Sequence, residues 1–119
     1  MRVYVPAAWS QLTRLQTDGS LPDPVRGCAV DPRWRADSPD VDEEQWEYEA
    51  AQLAAQTLTE DGEPSGMVLA VDVPGELPGQ ADGWVAVPGG VRRSQVGAVL
   101  DSELAWYGLQ ELAGLLAQR

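Results

Sequence analysis

The sequence predicts a sandwich of the α/β or α+β class, with a single mixed β-sheet of about five strands and helices packed on it. Three observations carry this. Met67 to Val73 is a nearly continuous apolar run of the length of a buried central strand. Shorter alternating or apolar runs recur at Arg2–Val5, Gly27–Val30, Trp84–Val87 and Val96–Leu100, bounded by Gly and Pro. Between and after them stand apolar residues at helical spacing. The 119 residues suit one domain, 1–119, and a 44% hydrophobic content can supply its core.

Taken in order, Val3 and Val5 share one face of the first strand, Tyr4 takes the other, and Pro6 is the expected stop. Ala8, Leu12 and Leu15 then repeat at helical spacing, and Asp18-Gly19 ends that helix with a residue suited to a left-handed cap. After a Leu21–Pro24 loop and the strand Gly27–Val30, Asp31-Pro32 is a stop, and Arg33-Trp34-Arg35 leads into a Pro- and Asp-rich stretch at 37–40.

The main helix is expected from about Val41 to Thr59, with Asp40 as N-cap and Glu43 three residues on. Asp42, Glu43 and Glu44 crowd its first turn, where the helix dipole favours carboxylates. Gln45, Glu49, Gln52 and Gln56 form a polar stripe. The remaining surface is wide and rich in Ala, which predicts close packing on more than one side. Glu47 falls on that apolar side, near Ala50, Ala51 and Ala54, with Glu43 one turn before it.

Gly62, Pro64 and Gly66 predict a turn before the central strand, Pro74–Gly83 a loop after it, and Pro88-Gly89-Gly90 a further turn. Asp101 or Ser102 is the expected cap of a last helix whose buried face holds Leu104, Ala105, Leu109, Leu112, Leu115 and Leu116. Trp106 and Tyr107 would then be adjacent on a helix and unable to share a face, with core packing expected for Trp106 and for Trp46.

The inventory excludes several chemistries. The chain has no His and no Lys, so Ser-His-Asp and Cys-His arrangements, Schiff-base lysines and the phosphate-binding P-loop are all out. Cys28, the one thiol, has no partner for an intrachain disulfide and no set of Cys and His for zinc; it is expected to be a buried small hydrophobe. No catalytic residue and no cofactor are predicted. Ile, Asn, Lys and Phe are all missing while Ala, Gly, Arg, Val and Trp abound, the mark of a GC-rich genome rather than of this fold. The N-terminus has no apolar signal core and no window approaches the run of about 18 apolar residues of a membrane span, so the expected location is cytoplasmic.

The net charge of −11 is local: residues 37–63 hold ten acids and no base. Nucleic acid is not an expected direct ligand, because phosphate calls for cations and Arg92-Arg93 is the only tight basic pair. A basic protein partner fits the charge better, although an acidic surface also simply keeps a protein in solution.

Five stretches, in their order and spacing, resemble a family of small uncharacterised actinobacterial proteins. They are Met1-Arg2-Val3-Tyr4-Val5-Pro6-Ala7, Ala29-Val30-Asp31-Pro32-Arg33-Trp34-Arg35, Asp42-Glu43-Glu44 with Tyr48 and Ala50, Val71-Asp72-Val73-Pro74, and Leu104-Ala105-Trp106-Tyr107 with Glu111-Leu112. Relatives of this kind are commonly longer before the Trp-Tyr segment, so the chain looks like a shortened member. The resemblance implies a cytoplasmic protein and brings no activity, cofactor or catalytic residue.

Three groups of side chains are candidates for binding. Asp42, Glu43, Glu44 and Glu47 offer hard oxygen ligands at helical spacing, with helix capping and solvation as the plainer account. If Glu47 is buried near Glu43 it should favour a proton or a cation. Arg35 suits a carboxylate or phosphate ligand, or more simply an ion pair with Asp42 or Glu43 that ties the loop to the helix. Tyr48, Trp106 and Tyr107 supply aromatic surface of the kind found in binding hot spots.

The first functional reading is therefore a non-enzymatic protein-binding or regulatory module with a basic protein partner and no membrane or nucleic-acid contact. The alternative is a small-ligand-binding domain or divalent-metal-dependent enzyme using the helix carboxylates and Arg35. A mimic of nucleic acid is a third idea. Convergence of these side chains in a concave pocket would favour the ligand reading, and a convex acidic surface the first.

Overall fold

The computed structural model describes residues 1–60, 63–75, 77 and 83–118. In chain order it contains β1 (Arg2–Ala8), α1 (Trp9–Asp18), β2 (Ser20–Leu21), β3 (Arg26–Cys28), α2 (Pro32–Asp37), α3 (Glu43–Gln56) and β4 (Thr59–Glu60). There follow β5 (Glu63–Pro64), β6 (Gly66–Asp72), β7 (Trp84–Ala86), β8 (Val91–Arg92), β9 (Val96–Leu100), β10 (Trp106–Tyr107) and α4 (Leu112–Ala117). Six strands form one sheet in the order β10-β9-β6-β1-β3-β7, while β2 with β8 and β4 with β5 form two-stranded ribbons.

The fold is α+β, a sheet with helices packed on it, and every pairing is antiparallel where a mixed sheet was expected. After α1 the chain passes through β2 before it enters β3, so β3 runs against β1 and no crossover joins parallel neighbours. Pro6 does not stop β1 either. The ladder from β1 to β3 is registered only at Tyr4 with Cys28, so beyond that point this side of β1 requires no donor, and pairing with β6 continues to Ala8 with Gly66.

Strand alternation divides the apolar residues between two faces. Val3, Val5, Leu69, Val71 and Val99 face one way, against Leu12 and Leu15 of α1 and Leu112 of α4. Tyr4, Cys28, Val68, Ala70, Ala98 and Leu100 face the other, against Ala50, Ala51, Ala54 and Ala55 of α3. Cys28 is fully buried, as expected of a small hydrophobe. Alanines on both sides of this second layer let α3 approach the sheet closely, but they form a single buried stripe, so the helix is not packed on several sides.

Three local expectations differ. Asp42, not Asp40, caps α3: its carboxylate accepts the amide of Gln45, three residues on, so the same spacing recurs two residues later and places Glu43 at the first helical position. Arg33 to Arg35 lie in α2, not in a loop, because Asp31 caps that helix and Pro32 occupies its first turn. The long C-terminal helix is reduced to α4. Asp101 Oδ1 accepts the amides of Glu103 (2.9 Å) and Ala105 (3.0 Å), which holds a turn in place of a helix, and Trp106-Tyr107 then joins the sheet edge as β10. Within the predicted Pro74–Gly83 loop and the turn at Gly62, residues 62, 76 and 78–82 lie outside the described residues.

Asp31 also clamps Arg33 across the first turn of α2. Its nearly buried carboxylate takes Arg33 Nε at 3.1 Å and Nη2 at 2.7 Å as well as the Arg33 amide. Asp31→Ala is expected to cost about 1–2 kcal/mol, the usual value of an N-cap, measured by urea unfolding. Hydrogen bonding from Arg33 holds the Asp31 carboxyl below its ordinary value. Its contribution is therefore present above that ordinary value and is lost as pH falls through the lowered one, a dependence that Asp31→Asn should remove while keeping the cap.

Candidate functional site

Because α3 rests mainly on β1, β3 and β6, the far side of the second layer is not covered by a helix. A cleft of about 790 Å³ opens there between α3 and the segment that carries Glu103, Leu104 and Trp106. Its floor comes from β1 and β9. Arg2 and Tyr4 share the face opposite Val3 and Val5, and Leu100 lies beside them.

The outer wall depends on the Asp101 turn. Leu104 donates its amide to the Asp101 carbonyl (2.9 Å) and takes φ 64°, a left-handed conformation costing a non-glycine residue about 1 kcal/mol. That turn brings Leu104 against the second core layer and Glu103 to the cleft. Trp106 is 56% exposed, contrary to the expected core placement, because on a strand it takes the face opposite Tyr107. Tyr107 packs on the first core layer, with its hydroxyl 3.4 Å from Asp101 Oδ2.

Two of the charges near the cleft are arginines held by acids. Arg35 forms a two-point ion pair with Glu43, Nε to Oε2 at 2.9 Å and Nη2 to Oε1, which ties α2 to the first turn of α3 as the simpler reading of Arg35 expected. Arg2 pairs with Asp72 at 3.1 and 3.3 Å, and its guanidinium lies 6.0 Å from the centre of the Trp106 ring. A Cβ on Gly97 would come within 3.0 Å of Arg2 Nη2, so the absent side chain leaves room for that pair. Among the described residues, Glu44, Glu47 and Glu103 make no ion pair, and the cleft they line is acidic.

Glu47 sits where the cleft meets the helix. Its Oε2 is buried and makes no hydrogen bond. Burial pushes the carboxyl above the ordinary carboxylate range; the Tyr4 hydroxyl opposes that shift and the charge of Glu43 adds to it. Tyr4 is driven up in turn, first by its own burial and then by the adjacent Glu47 carboxylate, so the phenol stays protonated. A second hollow of about 280 Å³, lined in part by Asp31 and Arg35, shares Arg2, Glu43 and Glu47 with the cleft. The N-terminal amine donates to the Val73 carbonyl at 2.9 Å, which fixes the start of β1 and with it Arg2.

Of the residues singled out in the sequence, Glu43, Glu44, Glu47, Tyr48 and Trp106 line the cleft, and Arg35 lines the smaller hollow. Asp42 is spent on capping, and Tyr107 does not line the cleft. Arg2, Tyr4, Glu103 and Leu104 were not anticipated. The alternation at Arg2–Val5 carried the signal for the first two, whereas Asp101-Ser102 suits a helix cap and a side-chain-held turn equally, and only the structure decides for the turn. Among the described residues, no group of three or more carboxylate or thiol side chains converges on a metal position. The cleft offers carboxylates, the phenols of Tyr4 and Tyr48 and an exposed indole, a set suited to holding a cation by charge and by its aromatic faces.

No curated protein and no solved structure is significantly similar to the chain. Residues 1–100 match the family of unknown function DUF6912, and the chain belongs to that family.

Proposed function

We propose that the protein is a non-enzymatic binding module of the actinobacterial cytoplasm whose acidic cleft receives a cationic group from a basic protein partner. One observation carries the reading. Tyr48, 49% exposed, and Trp106 line the same cleft as Glu47, a half-buried carboxylate whose Oε2 makes no hydrogen bond. Exposed aromatic surface around a desolvated carboxylate is the chemistry that holds guanidinium and ammonium groups. The acids at 37–63 would draw a basic partner to this side of the molecule. The concavity of the cleft favours a second reading, a free organic cation of the same charge, and the two share this first step.

The test is a titration with N-acetyl-arginine amide, followed by nitrogen-proton NMR. Saturable shifts are expected at the Trp106 indole and at the amides of Glu47 and Tyr48, weakened by salt and absent with N-acetyl-glutamine amide. Trp106→Ala should weaken the binding several-fold, through loss of the cation–π surface. Shifts that fail to saturate, or that scatter over the acidic surface, would reject the proposal.

A further inference from the structure

The cleft does not end at Tyr48. A further hollow of about 300 Å³ continues from it along α3 and shares Tyr48, Glu103 and Leu104 with it, adding Gln52, Gln56 and Ser102. Glu44, Tyr48, Gln52 and Gln56 recur at every fourth residue, so they form one edge of a continuous groove along the helix. From Glu44 to Gln56 this edge is about 18 Å long at ~1.5 Å per residue. An extended chain covers that length in about five or six residues at ~3.3 Å each.

The two parts of the groove differ in chemistry. The first has the aromatic walls and the Glu47 carboxylate. The second keeps Glu103 and Leu104 of the shared wall and adds amide and hydroxyl side chains, Gln52 and Gln56 on one side and Ser102 on the other, with Ala55 between the glutamines. Backbone N–H and C=O groups of an extended segment need such partners, whereas those of a helix are already paired within it. An amphipathic helix would require an apolar trough, and a free small cation would leave the second part unused.

Resting on the cation-binding reading above, we infer that the occupant is an extended peptide segment of about six residues, with a basic side chain in the Tyr48–Trp106 cleft and its backbone along Gln52, Gln56 and Ser102. The acidic cleft supplies charge complementarity to the basic residue, and the polar half sets no requirement on the side chains that follow.

The experiment compares N-acetyl-arginine amide with two capped hexapeptides, Arg-Thr-Ala-Thr-Ala-Thr and the reverse order, on the full chain by the same NMR titration. One hexapeptide is expected to bind at least about ten-fold tighter than the capped arginine and to shift Gln52, Gln56 and Ser102, which the capped arginine leaves unmoved. Gln56→Trp, at an exposed position with the fold checked by circular dichroism, should bring the hexapeptide down to the affinity of the capped arginine without altering the latter. If the capped arginine binds and neither hexapeptide binds more tightly, the extended segment is rejected while the cation site stands. If none of the probes binds, both are rejected.

Discussion

Gly66→Ala is expected to destabilise the protein by about 3 kcal/mol or more, a large loss for a single added methyl group. Gly66 pairs with Ala8 at the end of the β1–β6 ladder, and a Cβ there would overlap the carbonyl oxygen of Ala7 while lying 2.8 Å from its carbon and 2.9 Å from the Ala8 Cα. All three obstacles are backbone, so no side chain can swing aside, and the strands must part where the chain leaves β1 for α1. Gly114→Ala is the matched control. It lies inside α4 with open space around the added atom and should gain about 0.5–1 kcal/mol from helix propensity alone. Urea unfolding of the two variants separates steric overlap from a general effect of removing glycine. A Gly66→Ala protein within 1 kcal/mol of the parent would show that the strand junction has slack.

The sheet was readable where one local signal governed each strand. The apolar run at 67–73 became β6, Val96–Leu100 became β9 with the same limits, and Gly19 closed α1 at φ 80°. What depended on relations between elements was not readable. Antiparallel order follows from how many times the chain crosses the layer, and no residue states that number. The C-terminal segment misled because Ala105, Leu109, Leu112 and Leu116 have helical spacing, yet the Asp101 carboxylate engages two amides before a helix can start, and Trp106 and Tyr107 suit a strand. Trp106, expected to pack in the core from a helix, thus stands exposed on a strand.

The candidate site divides along the same line. Helical geometry alone put Glu47 on the buried side of α3 with Glu43 one turn away, and strand alternation alone set Tyr4 apart from Val3 and Val5. Their meeting across the helix–sheet interface is a tertiary fact, as are the Arg2–Asp72 pair and the room that Gly97 leaves for it. The family match covers the β1 and α3 sides of the cleft, while Glu103, Leu104 and Trp106 follow its last residue. The outer wall therefore belongs to the part of the chain that the match does not describe.

Glu47→Gln is expected to act in opposite directions on stability and on binding. The folded protein holds the Glu47 carboxyl above its ordinary value, chiefly by burial. The unfolded chain releases that proton at about pH 4.3, the unperturbed glutamate value. Between the two values the folded state carries more protons, so this group makes stability fall as pH rises through the window, and the loss persists above it. Glutamine never ionises. The variant should match the parent near pH 3, draw ahead as pH rises through the window, and melt a few degrees higher at pH 7. The same substitution removes the half-buried carboxylate and leaves Glu43, Glu44 and Glu103 on the cleft, and N-acetyl-arginine amide should bind at least about ten-fold more weakly, a loss of ~1.4 kcal/mol. Thermal melts at the two pH values and one titration check both halves. A variant that binds as the parent does would show that Glu47 plays no part in recognition. A variant that is no more stable at pH 7 would show that the carboxylate finds compensation within the fold. The Tyr4 hydroxyl and the more distant Arg2 and Arg35 charges offset only part of the cost of burying this carboxylate, so a ligand cation that pairs with it would turn a group that costs stability into one that supplies affinity.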